Sequence, residues 1–323
     1  SNKEMDNLAN LLAIDDLGDD FSKILRWAIT YKGDEEIAPE SQPLDGMSIG
    51  CIYEKPSTRT RVSFEVGIKR LGGHALTLLK GDIQLGQSES IGDTAQVLSR
   101  FLDGITYRCF AHSDAVELAD KSTVPVINAL SDRHHPCQAA ADMMTIMEHS
   151  DKLEGVKVAW VGDGNNVLHD LILSCAMLGI DCHWATPVGY EPKKKVVKRA
   201  KRISEKTGSK LTQSNDPVEA VTAANFIYTD AFLSMGEEQL EEKLAVFDGF
   251  QVNLDLLQHA DENWKFMHCL PAHRGEEVTD EVIDHEQSIV FDQAENRMWA
   301  QMSILTYLLD RNSWDVYSEI MEV

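Results

Sequence analysis

Five consecutive hydrogen-bond donors, Ser57-Thr58-Arg59-Thr60-Arg61, stand just after the apolar run Met47 to Tyr53 and open a stretch with helical spacing. Backbone N–H groups at a helix start are unpaired and carry partial positive charge. Hydroxyls add short donors, and guanidinium forks bind phosphate oxygens in pairs. A lone Ser or Thr here would read as an N-cap; five donors after a buried strand favour a phosphate. The run is not a Walker loop, because Gly-x-x-x-x-Gly-Lys spacing is missing.

Six further segments carry chemistry. His135-Pro136-Cys137-Gln138 sets an imidazole and an amide at the end of the apolar run Val124 to Leu130, suited to the oxygen and NH₂ of a carbamoyl or amide group. Arg108 lies inside the apolar run Ile105 to Phe110, where a charge is costly unless paired or facing a ligand. Gly162-Asp163-Gly164-Asn165-Asn166 fits either half of a dinucleotide fingerprint or a tight strand-to-helix turn. In Asp230-Ala231-Phe232-Leu233-Ser234-Met235-Gly236, Asp230 can take an ammonium group and Ser234 a carboxylate. Cys269 follows His268 at a strand end and is either nucleophilic or merely packed; strand alternation would send His268 to the opposite face, against a Cys–His pair. Glu295-Asn296-Arg297 opens the closing helix.

The elements that must carry these residues alternate. Strand-like runs at 47–53, 74–79, 105–110 and 124–130 are interleaved with helical spacing at 60–71, 94–102 and 137–148. A second series has strands at 158–161, 182–185, 226–229, 266–269 and 288–291. Its helices fall at 167–178, at 192–206 (basic and largely solvated) and at 295–309, with Met298, Met302, Leu305 and Leu309 on one stripe. Alternation of this kind predicts two α/β domains, each a doubly wound parallel sheet, with a cleft between them. The polar Ser150-Asp151-Lys152 sets the expected boundary: residues 1–149, then 150–323, with 293–323 returning to the first domain.

Composition narrows the class. Lys plus Arg number 30 against 53 Asp plus Glu, a net charge of −23, which repels nucleic-acid phosphates. Residues 51–150 alone are nearly balanced, with 10 basic and 12 acidic side chains, so an anion is expected there. No apolar run is long enough to span a bilayer, and the opening residues lack the charged–apolar–small order of a secretory leader. Six dispersed cysteines without a Cys-x-x-Cys pair read as reduced thiols of a cytoplasmic protein. Neither His134-His135-Pro136-Cys137 nor His268-Cys269 has the paired spacing of a structural zinc motif, so no metal is expected.

Taken in order, Ser57-Thr58-Arg59-Thr60-Arg61, His135-Pro136-Cys137-Gln138, Asp230 with Ser234-Met235-Gly236, and His268-Cys269-Leu270-Pro271 resemble the motifs of the aspartate/ornithine carbamoyltransferase family. The last two segments resemble its ornithine-using members. The resemblance runs from about Leu44 to Leu309. It implies transfer of the carbamoyl group of carbamoyl phosphate to the δ-amine of L-ornithine through a tetrahedral intermediate, without a cofactor. Ser57, Thr58, Arg59 and Thr60 would hold the phosphate, Arg108 and His135 the carbonyl oxygen, and Gln138 the amino end. Gln84 would reach a neighbouring subunit's site. Asn166, Asp230, Ser234 and Met235 would bind the α-amino and α-carboxylate groups of ornithine; Cys269 and Leu270 would lie near the reacting amine and Arg297 near the carbonyl. Arg108, His135, Cys269 and Arg297 are the expected catalytic set. The resemblance also implies a homotrimer or a multiple of trimers. The segment Ala272-His273-Arg274-Gly275 receives no role.

Overall fold

The structure, a computed structural model, describes residues 9–34, 36–37, 42–83, 85–234 and 241–323. The chain forms two compact units, one of Ser1–Met144 with Asn296–Val323 and one of Thr145–Glu295. The division therefore falls inside a helix, a few residues before the polar segment at 150. Among the described residues no helix is long and apolar enough to cross a membrane.

The first unit is built on strands β1 (Ser48–Tyr53), β2 (His74–Leu79), β3 (Gly104–Arg108) and β4 (Val126–Leu130), paired in parallel in the order β2-β1-β3-β4. β1 and β3 are buried almost throughout, while β2, at the edge, is half exposed. The helices are α1 (Phe21–Gly33), α2 (Thr58–Arg70), α3 (Ile91–Leu98), α4 (His112–Lys121) and α5 (Pro136–Glu148). Ile52, Ile105, Tyr107, Leu118 and Val126 share one core cluster. In this order β1 is followed by β2 on one side and flanked by β3 on the other. The direction in which strands are added thus reverses between β1 and β3, and such a switch point opens a crevice beyond the carboxyl ends of those parallel strands.

The second unit repeats the plan with five parallel strands: β5 (Lys157–Val161), β6 (Asp181–Ala185), β7 (Leu211–Ser214), β8 (Phe226–Thr229) and β9 (Lys265–His268), ordered β7-β6-β5-β8-β9. Its switch point lies between β5 and β8. Helices α6 (Asn166–Leu178), α7 (Lys194–Thr207), α8 (Pro217–Val221), α9 (Glu241–Val246), α10 (Leu254–Leu257) and α11 (Asp280–Ile283) complete it. Ala159, Val161, Ile227, Phe247 and Phe266 lie in its core.

Helix α12 (Val290–Leu309) carries the chain back to the first unit, and α13 (Arg311–Ile320) follows. Residues 300–307 of α12 are buried on every side, a wider contact than the expected methionine–leucine stripe. Its polar members are satisfied locally: Ser303 Oγ donates to the Ile24 carbonyl at 2.8 Å and Thr306 Oγ1 to that of Met302 at 2.9 Å. A side chain at Gly67 of α2 would meet Met302 Cγ at 3.0 Å, so glycine lets α2 and α12 approach closely.

Two expected elements differ. Residues 288–291 form no strand: a single parallel bridge joins Ser288 to Phe266 before α12 starts at Val290, whose first turn closes with Gln293 N–H on the Ile289 carbonyl. The apolar run that suggested a strand is the buried side of a helix start. The helix expected at 94–102 begins earlier, at Ile91, because Ser90 Oγ accepts from Asp93 N–H and caps it there. Strand β7 and helices α1, α4, α8, α9, α10, α11 and α13 were not read from the sequence.

Candidate active site

In the first unit the switch point gathers most of the expected residues. Tyr53 at the end of β1 is paired in register with Arg108 at the end of β3. Beyond β1, Ser57 is the N-cap of α2; its side chain makes no capping bond, and Thr58 and Arg59 are exposed in the first turn. Arg61 is turned along its own helix to Glu65 Oε1 at 3.1 Å. Beyond β4, Ser131 N–H donates to the His134 carbonyl and His134 N–H to Ser131 Oγ, a closed turn that delivers His135 to the start of α5. Pro136 opens α5, where its missing N–H costs nothing.

One network joins three elements of this unit. Arg297 of α12 donates from Nη1 to Gln138 Oε1 at 2.9 Å, from Nη2 to Thr60 Oγ1 at 3.1 Å and from Nε to Gln301 Oε1 at 3.2 Å. Gln138 Nε2 donates onward to Asp142 Oδ1, and Gln301 Nε2 to Ser63 Oγ. Thr60, Gln138 and Arg297 are each no more than 3% exposed. The cation placed on Gln138 and Thr60 is Arg297, whereas Arg59, adjacent in sequence to Thr60, is exposed.

Arg108 and His135 lie in the same electrostatic field. Burial, followed by the charges of Arg297 and Arg108, holds the His135 imidazole well below its usual range, so it is neutral at physiological pH. Burial lowers Arg108 as well, and Arg297 adds to that lowering. Two nearly inaccessible guanidiniums, Arg108 and Arg297, therefore repel one another beside a neutral imidazole. An anion brought among them would relieve the repulsion between the two guanidiniums.

In the second unit the loops after β5 and β8 meet across the other switch point. Asn165 is the N-cap of α6, its Oδ1 accepting from Leu168 N–H, while its Nδ2 donates to Asp230 Oδ2 at 2.8 Å. Asp230 Oδ1 accepts from Ala231 N–H. Asn166, the expected ligand, accepts from Val167 N–H through Oδ1. Ser234 is half-buried at the end of this loop. Gly164 packs against 190–192 so closely that a Cβ would lie 2.3 Å from the Tyr190 carbonyl oxygen, which accounts for the second glycine without a dinucleotide.

Asp230, His268 and Cys269 bring their side-chain ligand atoms within 4.8 Å of one another. The expectation that strand alternation separates His268 from Cys269 does not hold: β9 ends at His268, and the chain then turns through Leu270 at φ 61°. His268 is still unsuited to be a base for Cys269. Its Nδ1 accepts from Leu270 N–H at 2.8 Å and its Nε2 donates to buried Glu277 at 2.8 Å. Together these bonds hold Leu270 in a backbone conformation rare for a branched side chain.

Sequence reasoning missed Asn165, Glu277, Gln301 and Asp142. Only Asn165 left a signal, as an Asx residue capping the helix that follows a glycine turn. Gln84 and Met235 lie outside the described residues.

One parallel α/β unit concentrates buried cations at its switch point, and the other presents a carboxylate at its own, the residue types that a transferase of an anionic donor to an amine needs. Known proteins agree with that class. Residues 9–148 match the carbamoyl-P binding domain of aspartate/ornithine carbamoyltransferases and residues 154–308 their Asp/Orn binding domain. The ornithine carbamoyltransferase of Bacillus thuringiensis subsp. konkukian is 48% identical over 304 residues, 94% of this chain and 95% of that one. That of Anoxybacillus flavithermus is 50% identical over 90% of this chain and 94% of its own length. The solved ornithine carbamoyltransferase from Pyrococcus furiosus superposes with a TM-score of 0.91 at 50% identity, covering 94% and 97% of the two chains. The chain belongs to the aspartate/ornithine carbamoyltransferase family.

Proposed function

We propose that the protein transfers the carbamoyl group of carbamoyl phosphate to the δ-amine of L-ornithine, giving L-citrulline and phosphate. The observation that carries this reading is the convergence of Arg297, Arg108 and neutral His135 with Gln138 and Thr60 in the unit matching a carbamoyl-P binding domain. In this reading Ser57, Thr58, Arg59 and Thr60 hold the phosphate at the α2 N-terminus. Arg108, His135 and Arg297 face the carbonyl oxygen, and Gln138 faces the amino end. Asn166, Asp230, Ser234 and Met235 take the α-amino and α-carboxylate groups, with Cys269 and Leu270 near the attacking amine and Gln84 contributed to a neighbouring subunit.

The chemistry needs only positioning and charge. The δ-amine, deprotonated, forms a C–N bond to the carbamoyl carbon, and the carbonyl π pair moves to oxygen. The resulting oxyanion is stabilised by Arg108, His135 and Arg297. Collapse breaks the C–O bond to phosphorus and phosphate leaves with that pair; the amine's second proton goes to solvent. A neutral His135 donates a hydrogen bond to the oxyanion without giving up its proton.

Ornithine is favoured over aspartate because the Asp230 loop offers an acid, where a second carboxylate would need cations. Two further features support finer points. Leu76 and Leu79 on edge strand β2 and Val62 and Val66 on α2 are exposed apolar residues, as self-association into trimers requires. All six cysteines are free, five of them buried, as a reducing cytoplasm requires. The test is a citrulline-forming assay with ornithine, aspartate and putrescine offered in parallel. Citrulline from ornithine alone is the expected result; carbamoyl phosphate binding without turnover of any amine would overturn the reading.

A further inference from the structure

We propose that Lys243 and Asp163 form a positioning ion pair that sets the orientation of the Asp230 carboxylate for the amino-acid substrate. The proposal rests on the ornithine reading above.

Lys243 Nζ lies 3.2 Å from Asp163 Oδ2, and the two side chains are only 9% and 10% exposed. The ammonium also stands 5.4 Å from the Tyr190 ring centre and 5.8 Å from that of Phe247. Phe247 in turn stacks on Phe232 at 4.6 Å, so α9, which carries Lys243, is docked on the β8 loop as well as on Asp163. A pair this buried has given up most of its hydration, and replacing such a pair by apolar groups is often neutral or stabilising. Stability alone is therefore a weak reason for it, and its place in the turn supplies a stronger one.

Asp163 sits between Gly162 and Gly164 at the β5 switch-point loop. Its carbonyl accepts from Trp160 Nε1 at 3.0 Å and from Asn165 N–H at 2.9 Å, while Gly164 N–H donates to the Tyr190 carbonyl. Asn165, fixed by this turn, holds Asp230 Oδ2. The chain of contacts runs from Lys243 through Asp163 and Asn165 to Asp230. Removing the ammonium withdraws the buried cation that stands 3.2 Å from the Asp163 carboxylate, and the turn that carries Asp163 must readjust. Asn165 moves with it. Misplacement of a binding group by about 1 Å costs up to about a hundredfold.

The test compares wild type, Lys243→Met, Lys243→Arg and the Asp163→Asn/Lys243→Met double variant. In Lys243→Met, KM for ornithine should rise about tenfold to a hundredfold. Binding of L-2-aminopentanoate, which lacks the δ-amine, should weaken by the same factor, with KM for carbamoyl phosphate within about twofold of wild type. Lys243→Arg should recover most of the loss. The double variant should be no worse than Lys243→Met, since the two residues act as one, and it stands in as the test protein if Lys243→Met does not fold. An unchanged ornithine KM in a folded variant would overturn the proposal. So would equal losses toward both substrates that Lys243→Arg does not rescue, because that pattern belongs to a merely structural pair. A wild-type protein that makes no citrulline would instead refute the ornithine reading itself.

Discussion

Replacing Arg297 by Met keeps roughly the side-chain volume while deleting one buried charge and three donors. Its bonds to Gln138, Thr60 and Gln301 are each charge-assisted, worth about 1.5–3 kcal/mol apiece. Against that loss stands the desolvation of a cation only 3% exposed, several kcal/mol that the variant no longer bears, and the lifted repulsion of Arg108. The opposing contributions are similar in size, so folding stability should change by no more than about 2 kcal/mol, a Tm shift within roughly 8 °C for a unit of this size. Catalysis has no such compensation. The oxyanion loses a donor worth about 2.7–4 kcal/mol, so kcat should fall about 10²–10³-fold. Steady-state citrulline formation and calorimetric melting on the same preparation read both quantities. A folded Arg297→Met enzyme turning over within about threefold of wild type would show that Arg297 only braces α12 against α2 and α5.

Arg108→Ala should keep the fold and lose about 10²–10³ in kcat, checked by the same citrulline assay with circular dichroism. His135 is depressed in the folded chain, whereas the unfolded chain takes up that proton near pH 6.5. Its stabilisation is thus complete above pH 6.5 and declines below it, by at most about 1.4 kcal/mol per pH unit. Urea unfolding between pH 7.5 and 5.5 should show this slope, and His135→Gln should flatten it. Gly164→Ala drives a methyl into the backbone of 190–192 and should destabilise the second unit by about 3 kcal/mol, lowering its Tm by about 6–12 °C.

Much of the fold was legible because parallel strands buried on both faces leave short apolar runs, as at Phe226–Thr229. The run Ser288 to Phe291 looked the same and became a helix start, since only tertiary pairing separates the two. The amphipathic helices α1, α4 and α13 carry no chemistry-bearing residue and drew no attention in a reading led by motifs. At the site, Ser57 to Arg61 stood out because its donors are contiguous. The partner of Gln138 and Thr60 did not, because Arg297 reaches Thr60 from 237 positions away and strand order, unlike spacing, is not written locally. The side chain on Asp230 is that of Asn165, turned there by its duty as helix cap.

That Arg297 and Gln301 follow the whole second unit in the chain, yet belong to the first, has a bearing on biogenesis. When a ribosome has released residues 1–144, the strands of the first unit are complete but the guanidinium that braces Thr60 and Gln138 has yet to be synthesised. The nascent half must wait, its α2 face uncovered, while the whole second unit is translated. Completion of this buried network therefore follows translation of the second unit.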